Sequence, residues 1–443
     1  MVRERVAARW GVMLPSLGSA AEAHRASPSR RFAGPIPYGE ALQQLTQASV
    51  IHSSVRQAID RALRGDRLDE SEGYALMYAL GPDLVCLMQA ASELSDSVRP
   101  HRRVTYSRKV FLPLTNMCQD RCGYCTFVKG PNQRGVYTMT PDDVLDVARQ
   151  GAELGCKEAL ISLGDHPELR HQEMADALRE FGYGSTPEYV AAMSELVFRE
   201  TGLLPHTNCG TLNADEMSAI AEWNASMGIM LESTSLRLHE AGGAHYGTVT
   251  KRPEQRIATL DTAGELGVAM TTGILIGIGE TPEERIDSLV AIRDVQERHG
   301  NIQEVIVQNF RAKNATRMKG APEPSTVDML RTLAAARLVL GAAMNIQAPP
   351  NLNADGAGAY LLAGINDWGG VSPLTKDFIN PEAAWPEISR LRELTAEAGY
   401  ELRERTVLYP EYIASGWRTS SQVRVRMDEL VEADGFVRQE LEW

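Results

Sequence analysis

The sequence predicts an α/β fold: a closed (β/α) barrel of eight units preceded by a helical segment. Three observations carry this. From Lys109 onward, short apolar runs alternate with capped segments of helical periodicity. The alternation repeats often enough to close a TIM-type barrel of parallel strands joined by right-handed crossovers. Every chemically suggestive motif falls at the C-terminal end of a predicted strand, where such barrels carry their sites.

Taken in order, residues 1–40 read as a disordered tail. Arginines at 3, 5, 9, 25, 30 and 31 stand in an Ala- and Ser-rich run whose acids, through residue 34, are Glu4 and Glu22. Residues 1–34 also have the composition of an organelle transit peptide, and the tail is the preferred reading. Residues 41–103 read as a helical extension, because Gly39–Gly65 and Leu68–Leu94 place apolar residues at helical spacing without strand-like runs. The barrel is assigned to residues 104–375. Its first strand is Lys109–Leu114, and Thr140, Pro141 and Asp143 then supply the cap, the first helical position and a first-turn acid of a helix to Leu154. Strands at Glu158–Leu163, Leu203–Thr207, Gly228–Leu231, Val268–Ile278, Glu304–Asn309 and Asn345–Ala348 follow, with an eighth near Asn366 and Asp367. Helices open between them at Thr186, Asn213, Arg252, Thr281 (a capping box with Glu284) and Ser325. Residues 376–443 read as a C-terminal helical segment that closes or flanks the barrel.

Composition narrows the function. A hydrophobic content of 43% over 443 residues is ample for a large core. The net charge of −13, with no basic stripe, argues against nucleic acid or an anionic membrane surface as partner. No apolar run is long enough to span a bilayer. Six cysteines, three of them clustered, suit a reducing compartment and point to the cytoplasm.

The cluster is the most informative feature. Cys118, Cys122 and Cys125 lie within eight residues, spaced Cys-x3-Cys-x2-Cys, directly after the first strand. Zinc would call for a fourth Cys or His in the loop, and disulfides do not suit an odd triplet. A [4Fe–4S] cube has four corners, so three thiolates leave one iron open, which marks a centre that does chemistry. Tyr124 immediately before the last cysteine completes a pattern that resembles the signature of the radical S-adenosylmethionine (SAM) enzymes. The resemblance implies a radical SAM TIM-type barrel in which SAM chelates the open iron and is split to a 5′-deoxyadenosyl radical.

Further strand-end motifs fit a SAM pocket. Gly273-Ile-Leu-Ile-Gly277-Ile278-Gly-Glu280 matches the superfamily's glycine-rich strand, whose glycines let backbone approach an adenine. Gly164 and Asp165 follow the second strand, where carbonyls and a carboxylate can accept from an ammonium, although Gly-Asp-x-Pro is also turn chemistry. Glu232 ends the fourth strand, where an acid can hold two ribose hydroxyls. Arg237, five residues on, is placed to fork a SAM carboxylate.

A narrower resemblance rests on Tyr106–Thr115, the cysteine loop to Phe127, Gly164–Glu168, Glu232–Ser235, Thr272–Glu280, Gln308–Phe310, Gln347–Leu352 and Gly364–Pro373. Together these resemble the CofG-type subunit, or half, of 7,8-didemethyl-8-hydroxy-5-deazariboflavin (Fo) synthase, over about Leu63 to Tyr412. This implies a carbon–nitrogen lyase of deazaflavin (coenzyme F-420) biosynthesis that closes a ring and releases ammonia. A CofH-type partner enzyme would supply the hydroxybenzyl–ribityluracil adduct, and a flavodoxin- or ferredoxin-type donor the electron. Asn208, Gln308, Asn309 and Asp367, with His206, Thr207, Asn351 and Asn366, are the candidates for holding that polar substrate, since amides suit a uracil edge. The family's His-Thr-Asn-Pro-Gly appears here as His206-Thr-Asn-Cys-Gly210, and His166 occupies a position more often unconditionally charged. Cys209 reads as a small buried hydrophobe, with a ligand or hydrogen donor as the alternative, and Cys86 and Cys156 read as structural. The competing readings are a divergent radical enzyme acting on another aromatic or amino-acid-derived substrate, and a non-catalytic iron–sulfur carrier. The carrier would need neither an open iron nor a SAM pocket.

Overall fold

Strand β1 (Arg103–Leu112) is the seam of the molecule. The computed structural model describes residues 52–441 apart from 355, 379 and 381, so the predicted tail and the first residues of the helical extension lie outside the described residues. β1 starts six residues before the predicted Lys109, because Val104, Thr105 and Tyr106 are buried like the apolar run after them. Its residues 105–108 pair in parallel with β8 (Asp367–Val371), and its residues 109–112 with β2 (Glu158–Ser162). Between β2 and β8 run β3 (Leu204–Asn208), β4 (Ser226–Gly228), β5 (Met270–Ile276), β6 (Ile302–Asn309) and β7 (Ile346–Gln347). Each pairs in parallel with the next, so eight strands close a barrel in chain order.

Helix starts follow their caps. Thr140 with Asp143, Asn213 with Glu216 and Thr281 with Glu284 form reciprocal capping boxes. The helix opens at Thr186 as expected and is capped by Ser185, whose side chain accepts from the Glu188 N–H. The predicted run Leu68–Leu94 is two helices, Glu70–Met77 and Pro82–Asp96, because Gly81 turns the chain at φ +53° and Pro82 restarts it. These pack on the barrel's own helices Pro282–His299 and Thr326–Leu340. No helix among the described residues is long and apolar enough to cross a membrane.

The C-terminal segment departs from expectation. It is not purely helical: Glu401–Arg405 forms a ninth strand, β9, parallel to residues 103–107 of β1. β8 already occupies one edge of those residues, so β9 takes the other and fills the lower half of the gap whose upper half belongs to β2. Residues 407–409 then bury themselves against Leu204, Ala225 and Ala269, at or just before the starts of β3, β4 and β5. The barrel's N-terminal mouth is thereby plugged. The alternation of charges in Glu-Leu-Arg-Glu-Arg hid this strand, since its polar side chains are paired inside. Arg405 binds Asp367 through Nε at 2.7 Å and Nη2 at 3.0 Å, and Glu304 at 3.2 Å. Glu404 holds Arg108 at 3.2 Å and Lys157 at 2.9 Å.

A buried ion left without its partner costs about 3–5 kcal/mol. Arg405→Met strands Asp367 and Glu304 together and should lower the thermal midpoint strongly. Arg390→Ala, which breaks an exposed pair, should leave it nearly unchanged. Equal midpoints for the two variants in a thermal melt would remove Arg405 as the anchor of the plug.

Candidate active site

The cysteine loop leaves β1 at the C-terminal rim and has no helix or strand of its own between Leu112 and Pro141. Backbone bonds fasten it instead: Gln119 N–H to Asp165 O at 3.0 Å, Gly123 N–H to Ala244 O at 2.6 Å and Lys129 N–H to Asn116 O at 2.8 Å. Two buried carboxylates complete the fastening. Asp120 accepts from the N–H of Val249 and from the N–H and hydroxyl of Thr250. Asp165 accepts from Gln119 Nε2 at 2.9 Å, Thr211 N–H at 2.8 Å, Thr211 Oγ1 at 3.1 Å and His166 Nδ1 at 2.7 Å.

Cys118, Cys122 and Cys125 are free thiols that line one cavity of ≈ 380 Å³ at this rim, a size suited to small ligands. Among the described residues no three His, Cys, Asp or Glu side chains converge closely enough for a single metal ion. Cys118 Sγ accepts N–H bonds from Asp120 at 3.3 Å and Asp165 at 3.2 Å, donors that favour a thiolate. Burial, the largest cause, with neighbouring negative charge pushes the Cys118 and Cys122 thiols up to about 12, and a bound cation favours their thiolates. Three thiols lining one cavity, with two N–H donors aimed at Cys118 Sγ, suit a multi-iron cluster rather than a single ion.

Gly164 and Asp165 are where the sequence placed them but serve the loop. A Cβ at Gly164 would lie 2.3 Å from Cys118 Cβ and 2.3 Å from Met117 O, so only glycine lets the end of β2 seat the loop. The Asp165 carboxylate is spent on the four bonds above, and its backbone N–H and O bond Cys118 Sγ and the Gln119 N–H. Burial opposes its ionisation, yet the His166 and Thr211 bonds hold it at about 2. In return Asp165 overcomes the burial of His166 and raises it to about 9, which restores a positive charge at that position. Cys209 is 3% exposed, sits in the core and does not line the cavity.

Glu232 carries the backbone strain of the site. Its φ is +67°, unusual for a side-chain-bearing residue, and bonds from its N–H to Gly273 O and to its O from Leu275 N–H, both 3.0 Å, enforce it. The side chain is thereby turned into the cavity, where Lys251 donates to it. Burial would raise this carboxyl, but Lys251 and Arg256 keep it below its ordinary value. Arg256 is itself buried and donates to Thr250 O at 3.0 Å and Met230 O at 2.5 Å. Tyr124 lines the cavity beside them, its hydroxyl 3.2 Å from His245 Nε2.

Two expectations are corrected here. Arg237 is half exposed on the outer surface, tied to Glu284 at 2.7 Å and Gly279 O at 2.9 Å, and does not reach the cavity. Lys251 and Arg256 are the cavity-lining cations that act on Glu232, and they lie too far from it in sequence for spacing to show it. The glycines of β5 also act differently. A Cβ on Gly273 would sit 2.1 Å from Ile306 O, so it permits close approach of β6 rather than of a ligand. Gly277 turns at φ +90° against Pro324, and Ile278 is buried beside Leu238 and Phe310. Leu275, between them, faces the cavity. Glu280 accepts from the N–H groups of Gly277 and Ile278 at 2.7 and 2.8 Å and shapes that turn.

At the C-terminal ends of β3 and β6, Asn208, Gln308 and Asn309 line the cavity, and Asn309 Oδ1 has no hydrogen-bond partner among the described residues. Asp367 does not line it; Arg405, Thr105 and the Gly369 N–H consume its carboxylate, and it positions Arg405. Thr207 bonds Asn224, and Asn366 bonds Arg337, Asn345 and the Ile346 N–H, so both are structural. Asn351 donates to Asp377 and Ala383 O. Sequence reasoning missed the aromatic wall, Phe111 stacked on Trp385 at 5.4 Å, because the two lie 274 positions apart in the chain.

Comparison with known proteins agrees with this geometry. The profile of the radical SAM superfamily matches residues 112–292. The 7,8-didemethyl-8-hydroxy-5-deazariboflavin synthase of Methanopyrus kandleri is 48% identical over 335 residues, 76% of this chain and 100% of that protein. The FO synthase of Mycobacterium tuberculosis is 48% identical over 379 residues, 82% of this chain but 44% of that longer protein. Two solved structures share the fold at low identity. Methylornithine synthase (PylB) has TM-score 0.62 at 18% identity, covering 78% of this chain and 97% of its own. The hydrogenase maturase HydG of Carboxydothermus hydrogenoformans has TM-score 0.64 at 15%, covering 88% and 90%. The chain belongs to the 7,8-didemethyl-8-hydroxy-5-deazariboflavin synthase family of radical SAM proteins, a family that implies a [4Fe–4S] cluster and SAM.

Anaerobic reconstitution should load about one [4Fe–4S] cluster per chain, and replacing any one of Cys118, Cys122 or Cys125 by Ala should abolish it. Cys209→Ala should keep its iron. Iron loss from that variant in a ferrozine assay would overturn the three-ligand assignment.

Proposed function

We propose that this chain catalyses the ring-closing, ammonia-releasing step of deazaflavin formation in the cytoplasm. Its substrate would be the 5-amino-5-(4-hydroxybenzyl)-6-(D-ribitylimino)-5,6-dihydrouracil adduct supplied by a CofH-type enzyme, and its product 7,8-didemethyl-8-hydroxy-5-deazariboflavin. The observation that carries this is a single cavity lined by the three cysteines and by amides from the ends of β3 and β6, in a chain that matches the whole length of a synthase of that name.

Cys118, Cys122 and Cys125 would hold the cluster, and Glu232, Lys251, Tyr124 and the backbone at Gly164 would hold SAM. Once loaded and given an electron from a flavodoxin- or ferredoxin-type donor, cluster and SAM supply hydrogen-atom abstraction. The chain's own part is placement. Lys251 offers an ammonium to a carboxylate and Glu232 a carboxylate to hydroxyls or an ammonium, while Asp120 ties the Lys251 loop to the cysteine loop. Asn208, Gln308 and Asn309 present amides that both donate and accept, as a uracil edge requires. The plugged floor excludes water from below. Hydrogen transfer needs contact of about 3–3.5 Å, so these positioning groups decide which hydrogen is taken.

Glu232→Gln and Lys251→Met should each weaken SAM binding by about 1.5–3 kcal/mol, the loss typical of a charged hydrogen bond. Arg237→Ala should leave SAM affinity unchanged. A calorimetric titration showing the reverse order would return the carboxylate contact to Arg237.

Supplied with reductant, SAM and the adduct, the enzyme should release fluorescent Fo, ammonia, 5′-deoxyadenosine and methionine. Tyrosine and 5-amino-6-(D-ribitylamino)uracil, the adduct's two precursors, should give no Fo without a CofH-type partner. SAM cleavage without Fo from the authentic adduct would assign the chain to a different substrate.

A further inference from the structure

The interior of a (β/α) barrel is ordinarily filled by branched apolar side chains. The layer of this one just above the C-terminal plug holds charges. Lys109 of β1 and Glu158 of β2 are register partners and meet at 2.7 Å. Arg405 and Glu304 pair at 3.2 Å, and His206 bonds Ser226 through Nδ1 at 2.7 Å. All but Ser226 line the cavity. Two glycines of β8 clear the space. A Cβ on Gly370 would fall 1.8 Å from Lys109 Cε, and one on Gly369 would fall 2.2 Å from Gln347 Nε2. The Gly-Gly pair in the 364–373 block thus serves polar side chains inside the barrel.

One carboxylate oxygen in this layer is unsatisfied. Glu158 is 1% exposed, and its Oε2 has no hydrogen-bond partner. An unpaired buried carboxylate oxygen is costly and calls for a donor from whatever fills the cavity. Beside it stands the Lys109 ammonium, with three N–H donors. The complement is a ligand that donates to one group and accepts from the other at neighbouring atoms, and a run of hydroxyls does both at each carbon. Two residues further along the same face of β1 the chemistry changes: Phe111 stacks on Trp385 at 15° between planes, a wall for flat rings.

We propose that the Lys109–Glu158 pair on the barrel floor is the polyol subsite, with Glu158 Oε2 accepting from ribityl hydroxyls and the ring system lying above it against Trp385. This rests on the deazaflavin reading above and fixes the substrate's orientation, polyol toward the plug and rings toward the cysteines.

Fluorescence titration tests it with two ligands, Fo itself and an analogue bearing methyl in place of the ribityl chain. The parent should bind Fo at least about tenfold more tightly than the analogue. Glu158→Gln should weaken Fo by about tenfold and the analogue by far less, narrowing the gap. Lys109→Gln/Glu158→Gln, which leaves no unpaired charge, should narrow it equally, with near-ultraviolet circular dichroism reporting an intact fold. Equal weakening of both ligands, or of neither, overturns the subsite. An 8-deoxy analogue that alone loses sensitivity to Glu158→Gln also overturns it, by placing the phenol on the floor. A parent that binds neither Fo nor its analogue overturns the deazaflavin reading itself.

Discussion

The site depends on how a 28-residue stretch with no helix or strand, Pro113 to Thr140, is held against the barrel rim. Two buried carboxylates do this. Asp165 ties the loop to the segment after β3, and Asp120 ties it to the segment that carries Lys251. A carboxylate accepting several N–H and O–H bonds is satisfied even in a low-dielectric setting, and it fixes every donor it touches. Gly164 adds the steric half of the constraint by letting the end of β2 reach Cys118 without a side chain between them. The cysteines, the strained Glu232 and the Lys251 ammonium are brought to one rim because these contacts converge there.

The same economy of backbone space shapes the barrel interior. Polar and charged side chains can lie inside only where neighbouring strands give up volume and where each charge finds a partner. Gly369 and Gly370 give up the volume. The C-terminal strand gives the partners: Arg405 neutralises Asp367 and Glu304 while Val407 to Tyr409 close the mouth. Burial still pushes Glu304 up despite Arg405, so the floor is polar yet tightly held.

Much of this was legible in the sequence, and the gaps have physical reasons. Local signals read well: the Thr140, Asn213 and Thr281 caps, the strand order and the cysteine spacing all depend on residues within a few positions of one another. β9 escaped because Arg403, Glu404 and Arg405 look solvated until their buried partners on distant strands are known. Arg237 lies near Glu232 in sequence, but it pairs with Glu284 outside the cavity, and Lys251, 19 residues after Glu232, is the cation that pairs with Glu232. Asp165 reads in the sequence as a ligand contact, and only the packed structure shows that its carboxylate is already bonded to Gln119, His166 and Thr211. Gly273 in β5 and Gly277 just after it read as ligand contacts, and their closest neighbours prove to be Ile306 and Pro324.

The central claim is that three cysteines at this rim leave one iron open and that the Glu232–Lys251 pocket delivers SAM to it. The most direct test is the electron paramagnetic resonance spectrum of the reconstituted, reduced protein recorded with and without SAM. The account predicts one [4Fe–4S]⁺ spin per chain whose g values move when SAM is added, because SAM becomes a ligand. A full-intensity cluster signal that SAM leaves unchanged would contradict it.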